Sequence, residues 1–168
     1  MTAENLGNDT TRIVTQGAEL VIERIFDAPR SLVWAVFTER EHVPRWWGPH
    51  GTRTTVADMD VRPGGRWRYI HHAAPGHDVS FTGEYLEVVP PDKLVRTVVY
   101  EIGEYDGRPA VETVTLEDLG GSTKVTSRSR FPAPEVLDQA LATGMTQGAI
   151  ETYDRLAELF AELTTGRS

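Results

Sequence analysis

Arg45–His50 read RWWGPH, and Arg62–Tyr69 read RPGGRWRY. Between these two stretches the chain changes texture, and the change decides the fold. Gly48-Pro49 ends helical structure, because Pro49 has no backbone N–H and restricts the residue before it. After Thr52 come short β-branched runs separated by turn residues, the pattern of an antiparallel meander. Tryptophan is the largest apolar side chain and carries one N–H donor, so a pair of them serves a core, an interface or a ligand pocket.

Working outward, six runs are expected as strands: 54–61, 66–72, 79–89, 94–102, 111–117 and 123–130. Pro63-Gly64-Gly65, Pro75-Gly76, Pro90-Pro91-Asp92, Asp106-Gly107 and Gly120-Gly121 supply the turns. A seventh strand precedes them in ELVIERIF, where Leu20, Ile22, Arg24 and Phe26 share one face. DAPRSLVWAVFTE then reads as a short amphipathic helix with Asp27 as N-cap, and EREHVPRWW as a second short helical turn. In the last strand Val125, Ser127, Ser129 and Phe131 share a side, opposite Lys124, Thr126, Arg128 and Arg130.

One long amphipathic helix is expected from about Pro134 to Leu163. Leu137, Leu141, Met145, Gly148, Thr152, Leu156, Leu159 and Leu163 draw its stripe. Gly144 and Gly148 each cost about 1 kcal/mol of helix propensity relative to alanine, so something compensates. Close backbone approach to the sheet is one reading and room for a bound molecule is the other. Residues 1–17 are polar without sustained periodicity and are expected to be a disordered tail; 18–168 form a single domain.

Composition sets limits on function. A net charge of -8 works against binding nucleic acid or an anionic membrane surface. With no cysteine there is no disulfide, thiolate metal site or cysteine nucleophile. The N-terminus lacks a signal-peptide pattern, so a cytoplasmic location is expected. Both a monomer and a homodimer are compatible with this surface.

The order strand, two short helices, meander and C-terminal helix is the α+β helix-grip architecture, a curved seven-stranded antiparallel sheet wrapped around its last helix. FDAPRSLVWAVFTE, RWWGP, DVRPGGRWRY, FTGEYLEVVPPDKLV, VTLEDLGGSTKVT and GMTQGAIETYDRLAELF resemble, in sequence and order, one family. It is the family of the activator of the ninety-kilodalton heat-shock chaperone's ATPase, within the START-like (SRPBCC) superfamily of polyketide cyclases, birch-pollen-type allergens and lipid-transfer domains. The resemblance runs from about Glu19 to Leu163. It implies a chaperone or other protein as a possible partner and a link to stress response, although the eukaryotic co-chaperone has an additional N-terminal domain where this chain has a short polar segment.

For the site, Trp67, Tyr69 and His71 share one face of their strand, opposite Arg66 and Arg68, and the aromatic face is expected inward because arginines are cheaper left in water. Phe81, Tyr85, Val98, Tyr100 and Phe131 then complete a mostly apolar cavity, with Met145 and Gly148 across it. Leu86 and Val88 occupy the opposite face of their strand, which leaves its parity open. Trp46 or Trp47 lines the mouth, or both cover the core edge. His71, Glu84, Tyr85, Arg96 and Tyr100 are the polar groups on these strands. A binding pocket uses such groups, and so does a START-like cyclase or dehydratase.

No nucleophile motif such as G-x-S-x-G is present and no catalytic residue is assigned. The reading therefore leans away from an enzyme. Pro63-Gly64-Gly65 is not a nucleotide loop, since no helix follows with the needed spacing, and no cofactor is expected. His71, His72 and His77, with Asp78, are close in sequence, but adjacent strand residues point to opposite faces, so no metal is expected. The leading expectation is binding or sensing of a small apolar or amphipathic molecule between sheet and helix.

Overall fold

The computed structural model describes residues 4–101 and 108–165. Its strands are β1 (Arg12–Gln16), β2 (Glu19–Phe26), β3 (Arg53–Met59), β4 (Arg66–Ala74), β5 (His77–Val89), β6 (Lys93–Glu101), β7 (Ala110–Asp118) and β8 (Thr123–Arg130). The helices are α1 (Arg30–Thr38), α2 (Pro134–Leu141) and α3 (Met145–Thr164), with a 3-10 turn at Val43–Arg45. The strands form one antiparallel sheet in the order β1-β2-β8-β7-β6-β5-β4-β3, and α3 packs across its inner face in a helix-grip arrangement. The expected Asp106-Gly107 turn and the end of the strand reaching 102 lie outside the described residues.

Among the described residues the sheet has eight strands, one more than the seven expected. The extra strand, β1, falls within the segment read as a disordered tail. It pairs with β2 from Arg12↔Glu23 to Gln16↔Glu19, and Gly17 turns the hairpin at φ +61°. Ile13 is buried against Leu20 and Phe131. A five-residue strand between polar neighbours is too short to stand out by periodicity.

The expected single C-terminal helix is two. Gly144 takes φ +88°, a left-handed conformation that stops α2 and starts α3 afresh. The propensity cost assigned to Gly144 is thus a conformational requirement at a boundary. With twenty residues, α3 is roughly 30 Å long rather than the span of the whole stripe. Its buried face is Tyr153, Leu156, Leu159 and Phe160, so the true stripe includes two aromatic rings that the leucine spacing passed over. α1 also differs: Pro29, not Asp27, is its N-cap, and no side chain caps it.

The core lies between sheet and α3. Phe26 meets Phe160 edge-on at 5.2 Å and Tyr153 at 5.8 Å, tying β2 to the helix. β4 buries Trp67, Tyr69 and His71 and leaves Arg66 and Arg68 outside, as the cost of burying arginine requires. The open parity of β5 resolves through a bulge. Phe81, Gly83 and Tyr85 face inward, the pairing with β6 shifts between Tyr85 and Glu87, and Val88 then turns to the core while Leu86 stays exposed.

Candidate functional site

Between β4–β8 on one side and α3 on the other lies a partly open cavity of about 250 Å³. Eight of the expected residues line it: Trp46, Tyr69, His71, Phe81, Val98, Tyr100, Met145 and Gly148. Trp67, Tyr85 and Phe131 do not. Trp67 is wholly buried one layer deeper, where its Nε1 donates to the Thr97 carbonyl at 3.1 Å across Gly83. Tyr85 is buried beside it, and burial raises its hydroxyl's pKa. Phe131 stacks behind Tyr100 at 6.0 Å. All three are buried behind residues that line the cavity and support its wall. Glu84 points to solvent.

The tryptophan pair divides its work. Trp46 is buried and donates from Nε1 to the Val36 carbonyl at 3.1 Å, which fixes it to α1. Trp47 is half-buried and reaches across the mouth, with Tyr69 at 4.9 Å and Phe81 at 5.5 Å, both edge-on. Both rings border the cavity, so covering the core edge and lining the pocket are one arrangement.

Gly48 follows at φ +96°, and a Cβ there would fall 2.5 Å from His71 Cε1. Only glycine lets the loop pass over the imidazole. His71 sits 3.4 Å by Nδ1 from Thr54 Oγ1, which itself donates to the Trp47 carbonyl at 2.9 Å. Burial, with smaller contributions from the charges of His72 and Arg155, lowers the His71 pKa below the ordinary 6.5. A neutral ring therefore borders the cavity at neutral pH. His72 faces outward to Asp78 at 2.8 Å and Thr55 at 2.9 Å, so the two adjacent histidines do not share a site. Among the described residues, one group, the exposed Glu39 and Glu41 with half-buried His42, has metal-ligand spacing, and none of the three lines the cavity.

The inner wall holds Arg96, one of the polar groups expected on these strands, with a partner that sequence reading missed. Arg96 Nε donates to Glu112 Oε1 at 2.8 Å, a nearly buried ion pair between adjacent strands. The Arg96 guanidinium lies 3.9 Å over the Trp67 ring and 5.6 Å from those of Trp47 and Tyr69. Ser127 donates to Glu112 Oε2 at 3.2 Å. Glu112, Ser127 and Ser129 all line the cavity. The signal was available in principle: Glu112 opposes Arg96 once β6 and β7 are paired, and Ser127 shares the inward side of β8. Single-strand patterning does not give that register.

Arg155 on α3 also went unremarked. Its Nη1 donates to the carbonyls of Trp47, Gly48 and Pro49, and its Nη2 to those of Pro44 and Arg45, at 3.0 to 3.4 Å. Arg45–Glu162 at 2.8 Å and His50–Glu158 at 3.0 Å add to the same strap. One helix face thus holds the whole RWWGPH loop over the cavity mouth.

Residues 27–161 match the family model described as activator of Hsp90 ATPase homolog 1-like protein. The chain belongs to that family. Solved structures share the architecture. A Rhodobacter sphaeroides protein is similar at 25% identity and TM-score 0.82, over 91% of this chain and 99% of its own. Protein Ms6760 of Mycobacterium smegmatis is similar at 24% identity and TM-score 0.78, over 88% and 96%. A Staphylococcus epidermidis protein is similar at 27% identity and TM-score 0.76, over 89% and 93%. No curated protein matches the sequence. No helix among the described residues is long and apolar enough to cross a membrane.

Proposed function

We propose that the protein binds or senses a small apolar or amphipathic molecule in the cavity between sheet and α3. The observation that carries this is Gly148. It is the fourth residue of α3, in the first turn, where alanine is favoured by up to about 1 kcal/mol, yet a Cβ there would meet only Pro49, at 3.9 Å. Close packing does not require the glycine. Its absence of a side chain keeps volume open against walls of Trp46, Trp47, Phe81 and Met145, which is the composition of a ligand pocket. Gentle purification, intact mass under native conditions and extraction of any accompanying molecule test the reading. A stoichiometric small-molecule adduct, lost in Gly148→Leu, is expected. An unliganded mass, with no response of tryptophan fluorescence to apolar probes, contradicts it.

The family match favours a second reading, a co-chaperone-like interaction module. Stimulation of the cognate chaperone's ATPase at micromolar protein would support it, and no stimulation would sink it.

A further inference from the structure

Given the cavity-binding reading above, on which this step rests, we propose that the ligand is uncharged and carries one hydrogen-bond donor, such as a phenol, alcohol or amide N–H, seated on the Glu112 carboxylate. The apolar walls select the body of the molecule; the Arg96–Glu112 pair selects its polar end.

Three observations meet here. First, the pair is neutral as a unit: Arg96 and Glu112 lie 2.8 Å apart, and both are mostly withdrawn from water. A ligand carboxylate or ammonium would add a third, uncompensated charge to a poorly solvated site, at a cost of desolvation that the pair does not repay. Second, the two partners are not equally presented. The Arg96 side chain is 7% exposed, and its guanidinium is covered by the Trp67 ring at 3.9 Å, whereas Glu112 keeps 18% exposure. What the pair offers is therefore an acceptor.

Third, among the described residues Glu112 has unused capacity. A carboxylate has about four lone-pair positions; Arg96 takes one on Oε1 and Ser127 takes one on Oε2. A donor on the ligand takes one of the positions that remain, and Ser129, directly across from Glu112 on β8, lines the same wall. A hydrogen bond to a charged acceptor in a site of low dielectric is worth about ten-fold or more in affinity. The neutral His71 on the adjoining wall adds no charge that would reverse this preference.

The test uses the full-length protein and four probes of one skeleton at neutral pH: para-propylphenol, propylbenzene, para-propylbenzoate and para-propylbenzylammonium. Binding is read by tryptophan fluorescence and by saturation transfer to the probe. The expected order places the phenol at least about ten-fold ahead of each of the others. If the hydrocarbon or either ion binds as tightly as the phenol, the donor-on-Glu112 inference falls while the cavity reading stands. If none of the four binds, both fall. In Glu112→Gln the guanidinium loses its counter-charge, and the benzoate should overtake the phenol. A folded variant that keeps the wild-type order overturns the role given to Glu112, and where this variant does not fold the wild-type order alone decides.

Discussion

Arg155 Nη1 donates to the Gly48 carbonyl at 3.0 Å, joining the middle of α3 to the loop that covers the cavity mouth. The same side chain serves four further carbonyls of that loop. Those groups belong to the end of the 3-10 turn and the irregular backbone after it, where a carbonyl has no sheet partner, and a planar guanidinium can bond on both edges at once. Burial lowers the Arg155 pKa, but the cation is retained. Arg155→Ala should destabilise the protein by about 2 kcal/mol in urea unfolding, because partly buried carbonyls lose their donors. Its tryptophan emission should shift to the red as Trp47 gains water. Arg155→Lys should recover part of the loss, since one ammonium cannot span both ends of the loop. Unchanged stability and emission in the alanine variant would contradict the strap.

Gly48→Ala meets two penalties together, a left-handed backbone and a Cβ placed 2.5 Å from His71. The conformational part alone costs about 1–3 kcal/mol. A loss of at least about 2 kcal/mol is expected in denaturant titration, and His71→Ala in the same background should return the steric share. A neutral Gly48→Ala would mean that the loop does not pass over the imidazole.

Removing one member of the Arg96–Glu112 pair strands a buried charge. Arg96→Met should cost about 3–5 kcal/mol, whereas Arg96→Met with Glu112→Leu should recover most of that loss. The check is a double-mutant cycle on unfolding free energies. If the two losses simply add, the residues are not coupled as the 2.8 Å contact requires.

The pH dependence follows from His71. Its folded-state pKa is lowered below 6.5, so the unfolded chain takes up the proton more readily than the native protein does. The stability at issue is fully present above about pH 6.5. It declines as pH falls toward the folded-state value, then levels off. His71→Gln should flatten this limb in unfolding titrations across mildly acidic pH; an unchanged slope would assign the dependence to other groups.

Much of this was legible in the sequence, for reasons that differ by residue. Arg66, Trp67, Arg68 and Tyr69 alternate strictly, and the cost of burying arginine fixes which face goes inward, so β4 could be oriented from its own residues. Gly48-Pro49 likewise marks its loop. The break at Gly144 was hidden because the apolar spacing continues through it, and only the backbone angle distinguishes a helix interior from a boundary. β1 was hidden by its length. Arg96–Glu112 and the Arg155 strap are separated by 16 and more than a hundred residues, and such contacts depend on strand register and helix placement rather than local pattern.

Gly148 provides the most direct test of the central claim, that the space beneath α3 exists for a ligand. Because a Cβ there has room, Gly148→Leu should fold as well as the wild type or gain up to about 1 kcal/mol from helix propensity while filling the cavity. Calorimetric titration of both proteins with para-propylphenol, with unfolding measured alongside, decides the matter. One-to-one binding to the wild type that disappears in an equally stable Gly148→Leu is the predicted result. Equal binding by both proteins, or none by the wild type, would contradict it.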